Sequence, residues 1–173
     1  MQPWPCYIDQ LRTIPYMDAM HAEWLREYAE DAESILEWGR GGSTIWLAQI
    51  TEGTICSIEH DQTWHQRIHN LLAGLTAADL QLAKVEEWVY CTHDGYCNQT
   101  GQYDLAFIDG KAEWRLDCLA ACAKCVKPGG HIFMHDSQRY PSQLFPFVTE
   151  HCQKSEQRID SIGVGMWHGQ LKG

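Results

Sequence analysis

One short stretch constrains this chain more than any other: Ser34-Ile-Leu-Glu-Trp-Gly-Arg-Gly-Gly-Ser-Thr-Ile-Trp-Leu-Ala48. A brief apolar run, Ile35-Leu36, is followed by an acid, Glu37. Gly39, Gly41 and Gly42 come next, and Ser43-Thr44 opens an apolar helical segment. The pattern reads as strand, glycine turn, helix. Glycine permits positive φ and lets the backbone approach another group with no Cβ between them. Ser43 or Thr44 is placed to cap the helix that follows. Glu37 falls at the carboxyl end of the strand, which is where open α/β sheets receive ligands.

Two familiar ligand patterns fit this stretch poorly. A dinucleotide fingerprint, G-x-G-x-x-G, needs a small residue where Thr44 stands, and a phosphate-binding P-loop needs a lysine where Gly42 stands. Further along, Thr54-Ile-Cys-Ser-Ile58 reads as a second strand closing on Glu59, twenty residues after Gly39. An acid so placed is positioned to hydrogen-bond the hydroxyls of a ribose. That geometry is common to nicotinamide and S-adenosylmethionine sites, so it points to an adenosine without choosing between them. His60 either lies along that adenosine or sits on the surface, and Asp61 reads as the cap of a helix over 62–75.

A third strand is expected over Asp79–Val85, followed by Glu86, Glu87 and Trp88; the polar segment Cys91–Gln102 reads as a loop. Tyr103-Asp-Leu-Ala-Phe-Ile-Asp-Gly110 is a buried strand ending in Asp109. A helix over Glu113–Val126, a sharp turn at Lys127-Pro-Gly-Gly130 and a strand His131-Ile-Phe-Met-His-Asp136 follow. Pro141–Gln153 reads as another helix, and Glu156–Ile162 with Gly163–Leu171 as a closing hairpin. Ahead of all this, residues 1–16 form a proline-rich arm, and Met17, Met20, Trp24, Leu25 and Tyr28 have helical spacing.

Three blocks, taken together, resemble class I S-adenosylmethionine-dependent methyltransferases over roughly residues 34–137: the run Glu37-x-Gly39-x-Gly41-Gly42, the acid Glu59, and Y-D-x-x-F-I-D-G, helix, K-P-G-G, strand, H-D. The resemblance implies a Rossmann-like, doubly wound α/β fold. Its mostly parallel seven-stranded sheet would carry an antiparallel last strand beside the fifth. Residues 1–33 would be an arm and helix packed on a single domain, 34–173. It further implies S-adenosylmethionine as cofactor. Glu37, Gly39, Gly41, Gly42, Ser43 and Asp109 would lie at its methionine end and Glu59 at its ribose; His60 and Trp88 would border its adenine.

The resemblance also offers two roles for the acids that end the fourth and fifth strands. In metal-dependent relatives similar to catechol O-methyltransferase, an acid and an Asp-Asn pair hold Mg²⁺. Here Asp109 and Asp136 match, and Ser137 replaces the asparagine. The metal-free alternative makes His135 or Asp136 the general base, histidine being the usual proton acceptor near neutral pH. Lys111 and Arg115 either meet an anionic substrate or belong to a solvated helix face.

Composition sets the outer limits. A chain of 173 residues, 45% hydrophobic and 21% charged, has enough apolar material for one domain core. Its net charge of −10 argues against a nucleic-acid partner, since such affinity rests on lysine and arginine neutralising phosphates. A small-molecule substrate is the expectation, with an oxygen nucleophile. No run approaches a membrane span and no leader is evident, so a cytoplasmic setting is expected. Of the eight cysteines, Cys118, Cys122 and Cys125 share a helix face; packing explains them better than a metal, which favours paired C-x-x-C knuckles on turns. The arm either covers the site, packs on the domain or reaches a partner subunit, so a homodimer is one further expectation. The competing reading is a cofactor-binding or interaction protein that keeps the fold without catalysis.

Overall fold

The computed structural model describes residues 15–75 and 83–173. The expected arm lies almost wholly outside the described residues, as do positions 79–82 of the expected third strand. Helix α1 (Ala19–Ala29) precedes β1 (Ser34–Trp38), α2 (Gly42–Ile50), β2 (Thr54–Glu59), α3 (Gln62–Ala73), β3 (Lys84–Val89), α4 (His93–Cys97) and β4 (Tyr103–Ile108). A 3₁₀ turn at Ala112–Trp114 leads into α5 (Arg115–Cys125) and β5 (Val126–His135). A second such turn at Ser137–Arg139 leads into α6 (Pro141–His151), β6 (Cys152–Ile159) and β7 (Gly165–Leu171).

The strands form one seven-stranded sheet in the order β3-β2-β1-β4-β5-β7-β6. The first five are parallel; β7 runs antiparallel between β5 and β6. The chain thus reverses direction across the sheet between β1 and β4. At that switch point the loops after neighbouring strands diverge and leave a crevice.

Burial on both faces explains why the central strands read as continuous apolar runs. In β1, Ile35 joins a core with Trp24, Leu25 and Ala29 of α1 and Leu47 and Ala48 of α2. Leu36 and Trp38 point the other way, into a core with Tyr96 of α4, Cys118, Leu119 and Cys122 of α5 and Leu144 of α6. The seven cysteines among the described residues are free thiols, and Cys118, Cys122 and Cys125 are buried. Packing against the sheet is what their spacing serves.

Four local expectations shift. The third strand lies at Lys84–Val89, so Glu86, Glu87 and Trp88 are inside it instead of after it. The segment expected to be a loop contains α4, capped by the Thr92 hydroxyl on the Gly95 N–H and anchored by fully buried Tyr96. Lys127–Gly130 does not break the chain from the strand. It forms the irregular start of β5, where the register slips between Tyr103 and Leu105 and Gly129 takes φ +77°; a strand absorbs such extra residues as a bulge when a glycine supplies the positive φ. In α1 the inward face is His21, Ala22, Trp24, Leu25 and Ala29, and Met20 faces out.

Candidate active site

The glycine turn is built from beneath by Glu37. This carboxylate is fully buried and accepts three hydroxyl hydrogen bonds, from Ser43 (2.5 Å), Thr44 (2.6 Å) and Ser57 (2.6 Å). Burial pushes its pKa up to about 7 against the pull of those hydroxyls and of the Arg40 charge. The sequence places Ser43 or Thr44 as the cap. Instead Gly41 is the N-cap of α2, the two hydroxyls turn down onto Glu37, and Thr44 Oγ1 also accepts the Gly41 N–H at 3.0 Å. Glu37 therefore holds the shape of the turn from below through these three hydroxyls.

The glycines have distinct reasons. Gly39 has φ +99°, and a Cβ there would fall 2.4 Å from the Gly110 nitrogen. Its bare backbone lets β1 and β4 bring Glu37 and Asp109 to one end of the sheet, with Asp109 N–H donating to the Trp38 carbonyl at 2.8 Å. Gly41 is extended, and a Cβ there would meet nothing within 4 Å. The space over Gly41 is open; that over Gly39 is filled by the chain itself. Gly42 is the first residue of α2.

On the β2 side, Glu59 is 3% exposed. Its Oε1 accepts the backbone N–H groups of His60 (2.7 Å) and Asp61 (2.9 Å) and lies 2.6 Å from His60 Nδ1. The His60 ring stands edge-on to Tyr96 and Trp114, 5.8 and 5.7 Å between centroids, so it is not a free surface histidine. Trp88 is about half exposed, paired in register with Ile58 and stacked on Tyr90 at 6.4 Å. By strand alternation it shares a face with Ile58 and Trp38, opposite to Glu37 and Ser57.

One residue missed in the sequence binds this half together. Arg40 is 1% exposed. It pairs with Glu87 of β3 and lies 3.0 Å from His65 Nδ1 of α3, while its carbonyl accepts the Trp64 indole N–H at 2.6 Å. An arginine between two glycines reads locally as surface; only the return of β3 and α3 buries it.

The ends of β4 and β5 form the other half. His135 is 7% exposed; its Nδ1 lies 3.2 Å from Asp109 Oδ1, and its Nε2 is buried without a partner. Burial disfavours the imidazolium, but the Asp109 hydrogen bond and the charges of Asp109 and Asp136 outweigh it. The net effect is a pKa above the ordinary histidine value. His21 of α1, also missed, stands edge-on to His135 at 5.8 Å. It hydrogen-bonds with the Arg158 carbonyl at 3.2 Å and keeps Nδ1 unpartnered. Burial holds its pKa down.

Arg115 is not on a solvated face. It is 6% exposed and lies between Asp109 and Asp136, at 3.1 and 3.0 Å. Lys111 stays near the surface, its ammonium 4.0 Å over the Trp114 ring. This arrangement does not fit Mg²⁺. The two expected carboxylate ligands are each engaged by a guanidinium, and Ser137 Oγ is fully buried and accepts from Gln157. The remaining group, His135, offers nitrogen where this ion takes oxygen.

The sheet order and the crevice at its switch point define an open, doubly wound α/β domain. A model of the methyltransferase domain family matches residues 36–137, more than half of the chain, and the chain belongs to that S-adenosylmethionine-dependent family. It is 26% identical over 148 residues to the ubiquinone biosynthesis O-methyltransferase of Bordetella avium; the match takes in 80% of this chain and 58% of that protein's length. Among solved structures, a methyltransferase-like protein from Silicibacter pomeroyi superposes with a TM-score of 0.70 at 21% identity, covering 93% of this chain and 90% of its own. The O-methyltransferase TomG from Streptomyces achromogenes, in complex with SAM, gives 0.65 at 20%, covering 96% and 87%. An O-methyltransferase from Bacillus cereus, in complex with SAH, gives 0.68 at 16%, covering 98% and 92%. These likenesses carry the fold.

Proposed function

We propose that this chain transfers the methyl group of S-adenosylmethionine to an oxygen of a small molecule, with His135 as the proton acceptor. The observation that carries the reading is the His135–Asp109 pair, a buried imidazole tethered at Nδ1 by a carboxylate and left free at Nε2. A histidine so held keeps one tautomer and one direction, which is what a general base requires.

The open space over Gly41 would receive the methionine end, and Glu59 would take the ribose hydroxyls through the oxygen not used by His60 and Asp61. His60 and Trp88 border the adenine side, and Asp109 reaches the methionine end from β4. The cofactor supplies a methyl group on a sulfonium, a strong electrophile. With that group bound, an acceptor hydroxyl taking the methyl would release its proton to His135 Nε2, and the displaced sulfur would keep the electron pair of its broken bond to carbon. The protein's part is alignment and the removal of that proton. The O-methyltransferases among its relatives support oxygen as the nucleophile. The net charge of −10 supports a small acceptor over a nucleic acid.

Replacing the base separates this from a binding protein that keeps the fold without catalysis. His135→Gln should lower kcat by about 10²–10⁴-fold, the usual contribution of a positioned base, and leave S-adenosylhomocysteine affinity by calorimetry within about threefold. A folded His135→Gln enzyme with unchanged kcat removes His135 from the chemistry. A wild type that binds the cofactor and transfers nothing to any phenol, alcohol or carboxylate acceptor favours the non-catalytic reading.

A further inference from the structure

Asp109, His135 and Asp136 offer ligand atoms within 4.8 Å of one another, the spacing of a cation site. We propose that Arg115 is the resident cation of that site, and that the chain holds no divalent metal there. The guanidinium rises from the first residue of α5 into the gap between the ends of β4 and β5. Nε donates to the Gly110 carbonyl at 3.0 Å. Nη1 donates to the His135 carbonyl at 2.7 Å and to Asp136 Oδ2 at 3.0 Å. Nη2 donates to the Asp109 carbonyl at 3.3 Å and to Asp109 Oδ1 at 3.1 Å.

An arginine has five N–H donors in a fixed plane, and all five find acceptors here. Three of those acceptors are backbone carbonyls on the two strand ends. The guanidinium therefore joins β4 to β5 as a metal ion bridging them would, but in a planar and permanently protonated form. It also explains Asp136, which takes a left-handed φ of +58° that non-glycine residues seldom adopt. In that conformation its carboxylate meets Arg115, with Arg139 at 3.5 Å from the same oxygen.

A divalent ion reaching these carboxylates must displace the guanidinium or sit against it. Displacement leaves a buried cation without its partners, which proteins tolerate badly; coexistence sets like charges side by side. Arg115 is thus a positioning residue. It fixes Asp109, which in turn holds His135, and its own donors are spent before any substrate arrives. The consequence for catalysis rests on the proposed transfer reaction; the statement about the cation does not.

Mn²⁺ is the probe, titrated into the intact chain and followed by the electron-paramagnetic signal of the free ion. The wild type is expected to leave that signal as it stands in buffer. Arg115→Met, shown to be folded by circular dichroism, is expected to gain a Mn²⁺ site at least about tenfold tighter than any in the wild type, since two facing carboxylates then lack a cation. One-to-one Mn²⁺ binding by the wild type that Asp136→Asn abolishes overturns the proposal. So does a folded Arg115→Met that binds Mn²⁺ no better than the wild type. Where Arg115→Met does not fold, the wild-type and Asp136→Asn titrations decide. A wild type that ignores Mn²⁺ yet methylates nothing sinks the transfer reading and leaves Arg115 in its place.

Discussion

Gly39 and Gly41 stand two residues apart under different constraints. Gly39 needs its glycine for the fold: positive φ and the Gly110 backbone 2.4 Å from an added Cβ both forbid a side chain. Gly41 needs its glycine only if something lies over it, since its backbone is extended and its Cβ direction is empty. Gly39→Ala is expected to cost about 2–4 kcal/mol in urea denaturation, the range for strain plus overpacking. Gly41→Ala should cost about 1 kcal/mol at most, the scale of a poorer N-cap, and weaken S-adenosylhomocysteine by about tenfold or more, a difference of about 1.4 kcal/mol. Equal cofactor affinity in Gly41→Ala would take the methionine end away from this turn. At the same scale, sequence reasoning located Glu37, Glu59, Asp109 and His135 because each closes a strand, and strand ends are legible from apolar runs. It did not locate His21, Arg40 or the true environment of Arg115. Each of those is polar in a local context that reads as surface, and each is buried by an element distant in the chain.

Among the elements, α1 and the β5–β7 pair share a histidine cluster away from the glycine turn. His168 of β7 lies 3.0 Å from His131 of β5, under Tyr28 and Trp24 of α1 and stacked on Phe133. Burial, and then the neighbouring His131 charge, lowers the His168 pKa to about 4; Glu156 pulls the other way and Arg158 adds to the lowering. The sign follows directly. Above pH 6.5 the ring is neutral whether the chain is folded or not, and the full stability is present. As pH falls from 6.5 towards 4 the unfolded chain takes up the proton first, so stability is lost through that window. The loss from this group is bounded at about 3 kcal/mol, 1.36 kcal/mol for each unit of depression. Urea midpoints should fall between pH 6.5 and 4, and His168→Phe should flatten the slope. A variant with the wild-type slope would show that other groups govern acid lability. The misplacement of β3 and the helix inside the expected loop also belong to this scale. Lys84–Val89 alternates poorly and lies in the sheet because its backbone pairs with β2. Helix α4 is too short to show periodicity and is held by Tyr96 at the sheet.

For the molecule as a whole, the two halves of the crevice meet at the switch between β1 and β4, so a ligand spanning them should tie the sheet together. S-adenosylhomocysteine at a hundred times its dissociation constant should stabilise the fold by about 2.7 kcal/mol, seen as a raised Tm. A Tm that ignores saturating ligand would count against cofactor binding altogether. Among the described residues no helix is long and apolar enough to cross a membrane.

The chain's own order of residues was enough for the class of fold, the glycine turn and the strand-closing acids. Those features depend on local sterics and on hydrophobic periodicity, both written within a dozen neighbouring positions. Which cation stands between Asp109 and Asp136, and which ring lies beside His135, came only with the packed sheet. Arg115 meets Asp136 only through the return of β5, and His21 meets the Arg158 carbonyl only through β6; the chemistry of a buried charge is set by what surrounds it.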